Sequence, residues 1–193
     1  MTVNNVDLKA DLSHWLKCGN QSLIDHQVKT ITNDFAGNDF EKVIKILNWK
    51  NDNLSFCKNQ EEVLKVFATR NVTEILQEMT STGCHDDALI VATFCRSVGI
   101  PSKYVAGINK LDPRNRGHCV VEIFINNKWM LLDQSRFNIS IFPERSEFYR
   151  NNYIVGKGLD SWEIGISTFQ TWVDKSNQII SHTSSMFNDS QND

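Results

Sequence analysis

Three residues of this chain have the types and spacing for covalent chemistry on an amide carbonyl: Cys84 in Gly83-Cys84-His85-Asp86-Asp87-Ala88, then His118, then Asp133. A thiol supplies a nucleophile, an imidazole takes its proton, and a carboxylate orients the imidazole. Cys84 follows the polar breaker run Thr80-Ser81-Thr82-Gly83, and behind it Ala88, Val91, Cys95 and Val98 recur on one face of an amphipathic helix. The cysteine therefore belongs to the first turn. There the unpaired backbone N–H groups and the positive end of the helix dipole favour thiolate over thiol, and a neighbouring amide is available to an oxyanion.

The elements that must position the other two residues are strands. His118 to Ile125 and Lys128 to Asp133 flank Asn126-Asn127, the composition of a two-residue hairpin turn. That register pairs Ile125 with Lys128, Phe124 with Trp129, Glu122 with Leu131, Val120 with Asp133 and His118 with Ser135. Alternation then sets His118, Val120, Glu122 and Phe124 on one face with Trp129, Leu131, Asp133 and Ser135. His118 and Asp133 become diagonal neighbours, with Cα atoms roughly 7–8 Å apart, a gap that their side chains can bridge.

Several linked blocks resemble the core of the transglutaminase-like thiol enzymes. They are Cys84-x-Asp86-x-Ala88, Cys95 through Gly107, His118-x-x-Val121-Glu122 and Trp129-x-x-Leu132-Asp133-x-Ser135, within a region from about Phe40 to Ser135. The resemblance implies a papain-like α+β fold, with N-terminal helices and a catalytic helix packed on an antiparallel sheet. It also implies a catalytic triad of Cys84, His118 and Asp133. Two positions depart from the family pattern: Val120 stands where an aromatic residue is frequent, and Gln134-Ser135 where Pro-Thr is frequent. Both bear on the floor or rim of a substrate cleft.

The activity expected from these residues is acyl transfer through a Cys84 thioester, with no metal or organic cofactor. Water as acceptor gives a cysteine peptidase, isopeptidase or amidase; a lysine or polyamine gives a protein-glutamine gamma-glutamyltransferase. Hydrolysis is placed ahead, because a chain of 193 residues has few extra elements with which to exclude water. The expected partner is a peptide or protein substrate, with a primary amine as acceptor in the transfer reaction.

Length suits one domain, taken as residues 1–180 with a disordered tail over 181–193. A net charge of −3 lacks the basic excess of a nucleic-acid binder or a polybasic membrane anchor. The first residues show no signal-peptide pattern, and no stretch approaches the ~20 apolar residues of a membrane span. Five cysteines without framework spacing fit a reducing compartment, so the expected location is cytoplasmic.

Helices are expected over Leu8–Leu16, Ser22–Ile31, Phe40–Trp49, Glu61–Ala68, Thr73–Met79 and from Cys84 until just before Gly99, followed by a strand over Ser102–Ile108. The loop Asp112 to Gly117 is expected to border the cleft. Beyond Ser135 the pattern is ambiguous: Trp162, Ile164 and Ile166 alternate as in a strand, while Trp162, Ile166, Phe169 and Val173 have helical spacing.

Each remaining candidate has a bland reading beside the functional one. Asp86 and Asp87 read as acids favourable at a helix N-terminus. Cys18, Cys57, Cys95 and Cys119 read as inert thiols, with Cys95 on the buried helix face and Cys119 opposite His118. Trp49 reads as core or cleft wall, with an oxyanion-donor role as the functional alternative. Glu122 reads as a surface or rim carboxylate and Arg96 as a surface charge; His14, His26 and His182 have no partner visible in sequence. Cys84-His85 and His118-Cys119 offer zinc ligands, but adjacent residues rarely both ligate one structural metal. A non-catalytic binding module that retains the fold is the third class.

Overall fold

The computed structural model describes residues 12–112 and 117–189, with side chains as far as residue 182. Its elements run α1 (His26–Thr32), α2 (Asp39–Asn53), β1 (Ser55–Phe56), α3 (Gln60–Val66), α4 (Val72–Glu78), β2 (Thr80–Ser81), α5 (Cys84–Ser97), β3 (Ser102–Asn109), β4 (Gly117–Ile125), β5 (Lys128–Asp133), β6 (Asn138–Ser140), α6 (Glu147–Asn151), β7 (Asn152–Gly158) and α7 (Phe169–Asp189). A five-stranded antiparallel sheet in the order β6-β5-β4-β3-β7 carries α5 on one face, and the short pair β1-β2 is parallel. This is the α+β arrangement expected from the sequence, with helices preceding the sheet.

Local sequence starts several of these helices. The Asn38 and Asn71 side chains cap α2 and α4, and Glu41 and Glu74 return the bond to the capping residue's own N–H, closing two capping boxes. Helix α1 begins later than Ser22 because Asp25 caps it, accepting from the Val28 N–H at 2.9 Å. Of the helix expected over Leu8–Leu16, residues 12–14 are helical and the part before residue 12 lies outside the described residues.

Helix α5 is buried nearly all round, from His85 through Arg96. A helix apolar on every side belongs at the centre of a domain. Its Ala88, Leu89, Val91, Ala92 and Cys95 share one core with Tyr104, Ala106, Cys119, Val121 and Ile123 of the sheet and with Val43, Ile46, Leu47, Ile75 and Leu76 of α2 and α4. Each large aliphatic side chain buried there contributes roughly 1.5–3 kcal/mol relative to exposure. The opposite sheet face holds a smaller cluster of Val105, Val120, Leu131 and Phe148.

Two charges expected at the surface are interior. Arg96 is 3% exposed; its guanidinium donates to the Leu159 carbonyl at 2.7 Å, and burial lowers its pKa to about 10. Glu122 is also 3% exposed, held by the Tyr149 hydroxyl and by the ammonium groups of Lys157 at 2.9 Å and Lys103 at 3.7 Å. Both cases share a cause: the covering groups come from segments far along the chain, which no local pattern reports.

The segment that resists sequence reading follows from one such set of contacts. Asp160 accepts from the backbone N–H of Gln21 and from the Ser22 hydroxyl, both at 3.0 Å, and the Ser161 hydroxyl donates to the Gln21 side chain at 2.7 Å. Residues 161–165 are turns and α7 starts at Phe169, so Trp162 to Ile166 is neither strand nor helix. Helix α7 continues past Ser181 to Asp189, over part of the stretch expected as a tail. The loop residues 113–116 and the last residues, 190–193, lie outside the described residues.

Candidate active site

Cys84 is the first residue of α5, and the turn before it requires glycine: Gly83 has φ of 120°, a conformation that side chains disfavour. The loop is clamped from below. Asp86, 1% exposed, accepts from the Thr82 backbone N–H and hydroxyl, each at 2.8 Å, and from the Arg70 guanidinium at 2.5 Å. Asp87 accepts from Lys50 at 3.0 Å and from the Ser81 hydroxyl at 2.6 Å. Burial works against the charge of Asp86, but His85, Thr82 and Arg70 hold its pKa at about 2. These acids are thus more than dipole partners. Arg70 and Lys50 pair with these charges beside the thiol.

The hairpin has the register expected from its turn. Ile125 pairs with Lys128, Phe124 with Trp129 and Glu122 with Leu131. Asn126 and Asn127 have φ of 52° and 61°, as a type I′ turn requires. His118 and Asp133 consequently meet, with His118 Nε2 3.0 Å from Asp133 Oδ2. The second carboxylate oxygen accepts from the Ser135 N–H at 3.1 Å, which fixes the carboxylate plane. With Nε2 engaged, Nδ1 is the nitrogen left to face Cys84, and the thiol and the imidazole shift each other's pKa. Gly117, immediately before His118, is pressed by Trp172 of α7, whose ring would lie 2.2 Å from a Cβ added there.

The electrostatics follow from these contacts. The Cys84 thiol is held well below its ordinary pKa by a hydrogen bond from the Cys119 thiol and by His118, which together outweigh burial. Burial opposes charge on His118, but Asp133 and Cys84 raise it to about 9. Asp133 is lowered, its burial outweighed by His118. Cys119 moves the other way, raised by its bond to Cys84 and by burial, so it stays a thiol and a donor. Its sulfur accepts from the Tyr104 hydroxyl at 2.9 Å. Cys119 does face away from His118, as alternation requires, yet that face brings it to Cys84. Sequence reasoning overlooked it because its neighbour in space is 35 positions earlier in the chain.

Other candidates lie apart from this cluster. Cys95 is buried and pushed up to about 12 by that burial. Trp49 packs on Phe94 at 5.1 Å, about 15 Å along α5 from Cys84, so it is core and no oxyanion donor. The His85 ring packs obliquely against Phe67 and edge-on to Tyr104, and its Nδ1 lies 3.1 Å from Asp86. Among the described residues no group of three or more His, Cys, Asp or Glu is arranged to hold a metal ion. A cavity of about 390 Å³ opens against His118 and Asp133, walled further by Asn109, Asn138, Asn151 and Phe148. The exposed Phe56 ring stands over Gly83, the residue before the cysteine.

A nucleophile-ready thiol beside an imidazole-carboxylate pair can be compared with known proteins. The family model of the Transglutaminase-like superfamily matches residues 27–134, more than half of the chain. Among solved structures, a "putative cysteine protease" from Cytophaga hutchinsonii is similar with a TM-score of 0.62 and 21% identity, over 86% of this chain and 53% of that one. The chain thus spans about half the length of that protein. LapG of Legionella pneumophila is similar at a TM-score of 0.45 and 13% identity, over 79% of this chain and 95% of that one. No curated protein matches the sequence.

Proposed function

This chain belongs to the transglutaminase-like superfamily, and we propose that it is a thiol enzyme that cleaves amide bonds through a Cys84 thioester, with water as the acyl acceptor. The observation that carries this reading is the 3.0 Å bond between His118 Nε2 and Asp133, which leaves the other ring nitrogen for Cys84. Cys84 attacks the amide carbon while its proton resides on His118. The backbone N–H groups of the first turn of α5 face the developing oxyanion. Asp133 orients the imidazole and stabilises the imidazolium, which then donates its proton to the leaving amine. In the second half His118 takes a proton from water, hydroxide adds to the thioester, and the acid leaves with the thiolate regenerated. All atoms balance without a further reactant.

The reading takes the cavity walled by His118 and Asp133 as the route by which a leaving amine departs and an acceptor enters. The transfer reading, in which a primary amine replaces water, uses the same cavity. The substrate is a peptide or protein amide, its apolar portion against Phe56. All five cysteines are free thiols, which suits a reducing, cytoplasmic setting. The test is to incubate the protein with a library of peptide and isopeptide amides and read the mass of the Cys84 peptide, with and without a primary amine. An acyl adduct on Cys84 that decays to free acid supports hydrolysis; an amide of the added amine makes the protein a transferase. A turnover that survives Cys84→Ala contradicts the reading.

A further inference from the structure

One buried side chain joins the segments that carry Cys84, His118 and Asp133. Gln134 follows Asp133 directly and is fully buried. Its amide nitrogen donates to the Cys84 carbonyl at 3.1 Å and to the Cys119 carbonyl at 2.8 Å. Cys84 is the first residue of α5, and Cys119 is the residue after His118 on β4. Both amide hydrogens are therefore spent, one on each segment. The opposite amide orientation would set Gln134 Oε1 against two carbonyl oxygens, so the bonding partners fix which way the group points. In that orientation Oε1 is buried without a hydrogen-bond partner. A residue present only to fill space would carry no such unpaired acceptor; a methionine fills the same volume without it.

We infer that Gln134 is a positioning residue, and the inference rests on the proposed roles of Cys84 and His118. Its amide clamps the first turn of α5 to the start of β4, so that the sulfur and the imidazole keep the separation at which a proton passes between them. It also turns the positive end of its dipole toward the backbone of Cys84, which adds to the environment favouring thiolate. The segment Asp133-Gln134 thereby has two effects: the Asp133 carboxylate sets the imidazole, and Gln134 sets the distance from imidazole to sulfur.

The test uses alkylation, which needs no knowledge of the substrate. Iodoacetamide rates at Cys84 are measured from pH 5 to 10 by peptide mapping, in the native protein and in His118→Ala, Gln134→Met and Gln134→Glu, with circular dichroism to follow folding. For Gln134→Met the rate at pH 6 is expected to fall by about tenfold and the pH midpoint to rise. Gln134→Glu is expected to fall further, since a carboxylate would face two carbonyl oxygens near the thiolate. A folded Gln134→Met with the native pH profile overturns the inference while the Cys84 and His118 roles stand. If the native protein and His118→Ala alkylate alike, the underlying reading fails, and the inference with it.

A measurement on the native protein covers variants that do not fold. The side-chain NH₂ resonances of Gln134 in ¹⁵N-labelled protein are expected to titrate with the same midpoint as Cys84 alkylation and to shift on alkylation. Resonances that stay fixed through that midpoint overturn the inference.

Discussion

The face of β4 turned away from α5 carries two buried acidic clusters, and they differ in kind. At one end His118 meets Asp133, 3.0 Å apart, beside a cavity. At the other end Glu122 is enclosed by Tyr149, Lys157 and Lys103, and the Lys103 ammonium lies 3.7 Å from the centre of the Trp129 ring. The second carboxylate is held by a phenol and two ammonium groups and borders neither the cavity nor a thiol. The first is paired with an imidazole that also interacts electrostatically with the Cys84 thiol. Burial of an acid on the right face therefore does not make it chemical; what separates the two is whether the partner can change its own charge during a reaction.

Exchanging the acids for amides separates the clusters. Asp133→Asn disturbs the histidine tautomer and removes its counter-charge. Turnover is expected to fall on the order of 10³–10⁴-fold with the fold retained, as read by kcat on any substrate that yields a Cys84 adduct. Glu122→Gln leaves two ammonium groups without their carboxylate. It is expected to cost roughly 3 kcal/mol in urea unfolding, with Cys84 alkylation of the folded protein unchanged. If instead Glu122→Gln slows alkylation and Asp133→Asn does not, the roles of the two clusters are reversed.

The His118 cluster also has a pH signature. Lowering of Cys84 and raising of His118 to about 9 both favour the thiolate-imidazolium pair over the neutral pair. Turnover is expected to decline as pH rises through about 9, because neutral His118 no longer protonates the leaving amine. Stability follows the same proton. A histidine raised from 6.5 to about 9 on folding contributes fully below pH 6.5, and that contribution is lost as pH rises through 9. Asp133, lowered from 3.8, contributes above that value, and its share is lost as acid titrates its folded form. His118→Ala is expected to abolish the alkaline part of this dependence in urea titrations; an unchanged slope contradicts it.

A smaller effect lies on the face that carries α5. Cys119→Ala removes the thiol that donates to Cys84 and leaves Tyr104 facing a void. Alkylation of Cys84 at pH 6 is expected to slow severalfold, with turnover reduced but measurable. A loss as large as that from Asp133→Asn would mean that the thiol, and not the imidazole, controls the nucleophile.

The sequence disclosed the hairpin and the helix start because both are local. Asn126-Asn127 sets the register, and Gly83 marks the start of α5 without reference to anything distant. Asp25, read as a cap, would have moved the start of α1 from Ser22 to His26 in the same way. Glu122, Arg96 and Gln134 were illegible for the opposite reason. Glu122 depends on Tyr149 and Lys157, Arg96 on Leu159, and Gln134 on Cys84, 50 positions earlier. Strand β7 was missed because Asn152 to Gly158, with two glycines, lacks alternation, and its pairing with β3 shifts register between Ala106 and Gly107.

The central claim, that Cys84 is held as a thiolate by its surroundings, is tested most directly by limiting iodoacetamide at pH 6 with mapping of all five cysteines. Cys18 is exposed while Cys84 is half-buried, so accessibility and activation order the two thiols oppositely. The account requires Cys84 to take the label first, ahead of Cys18. Labelling of Cys18 first, with Cys84 no faster than an ordinary buried thiol, would contradict it.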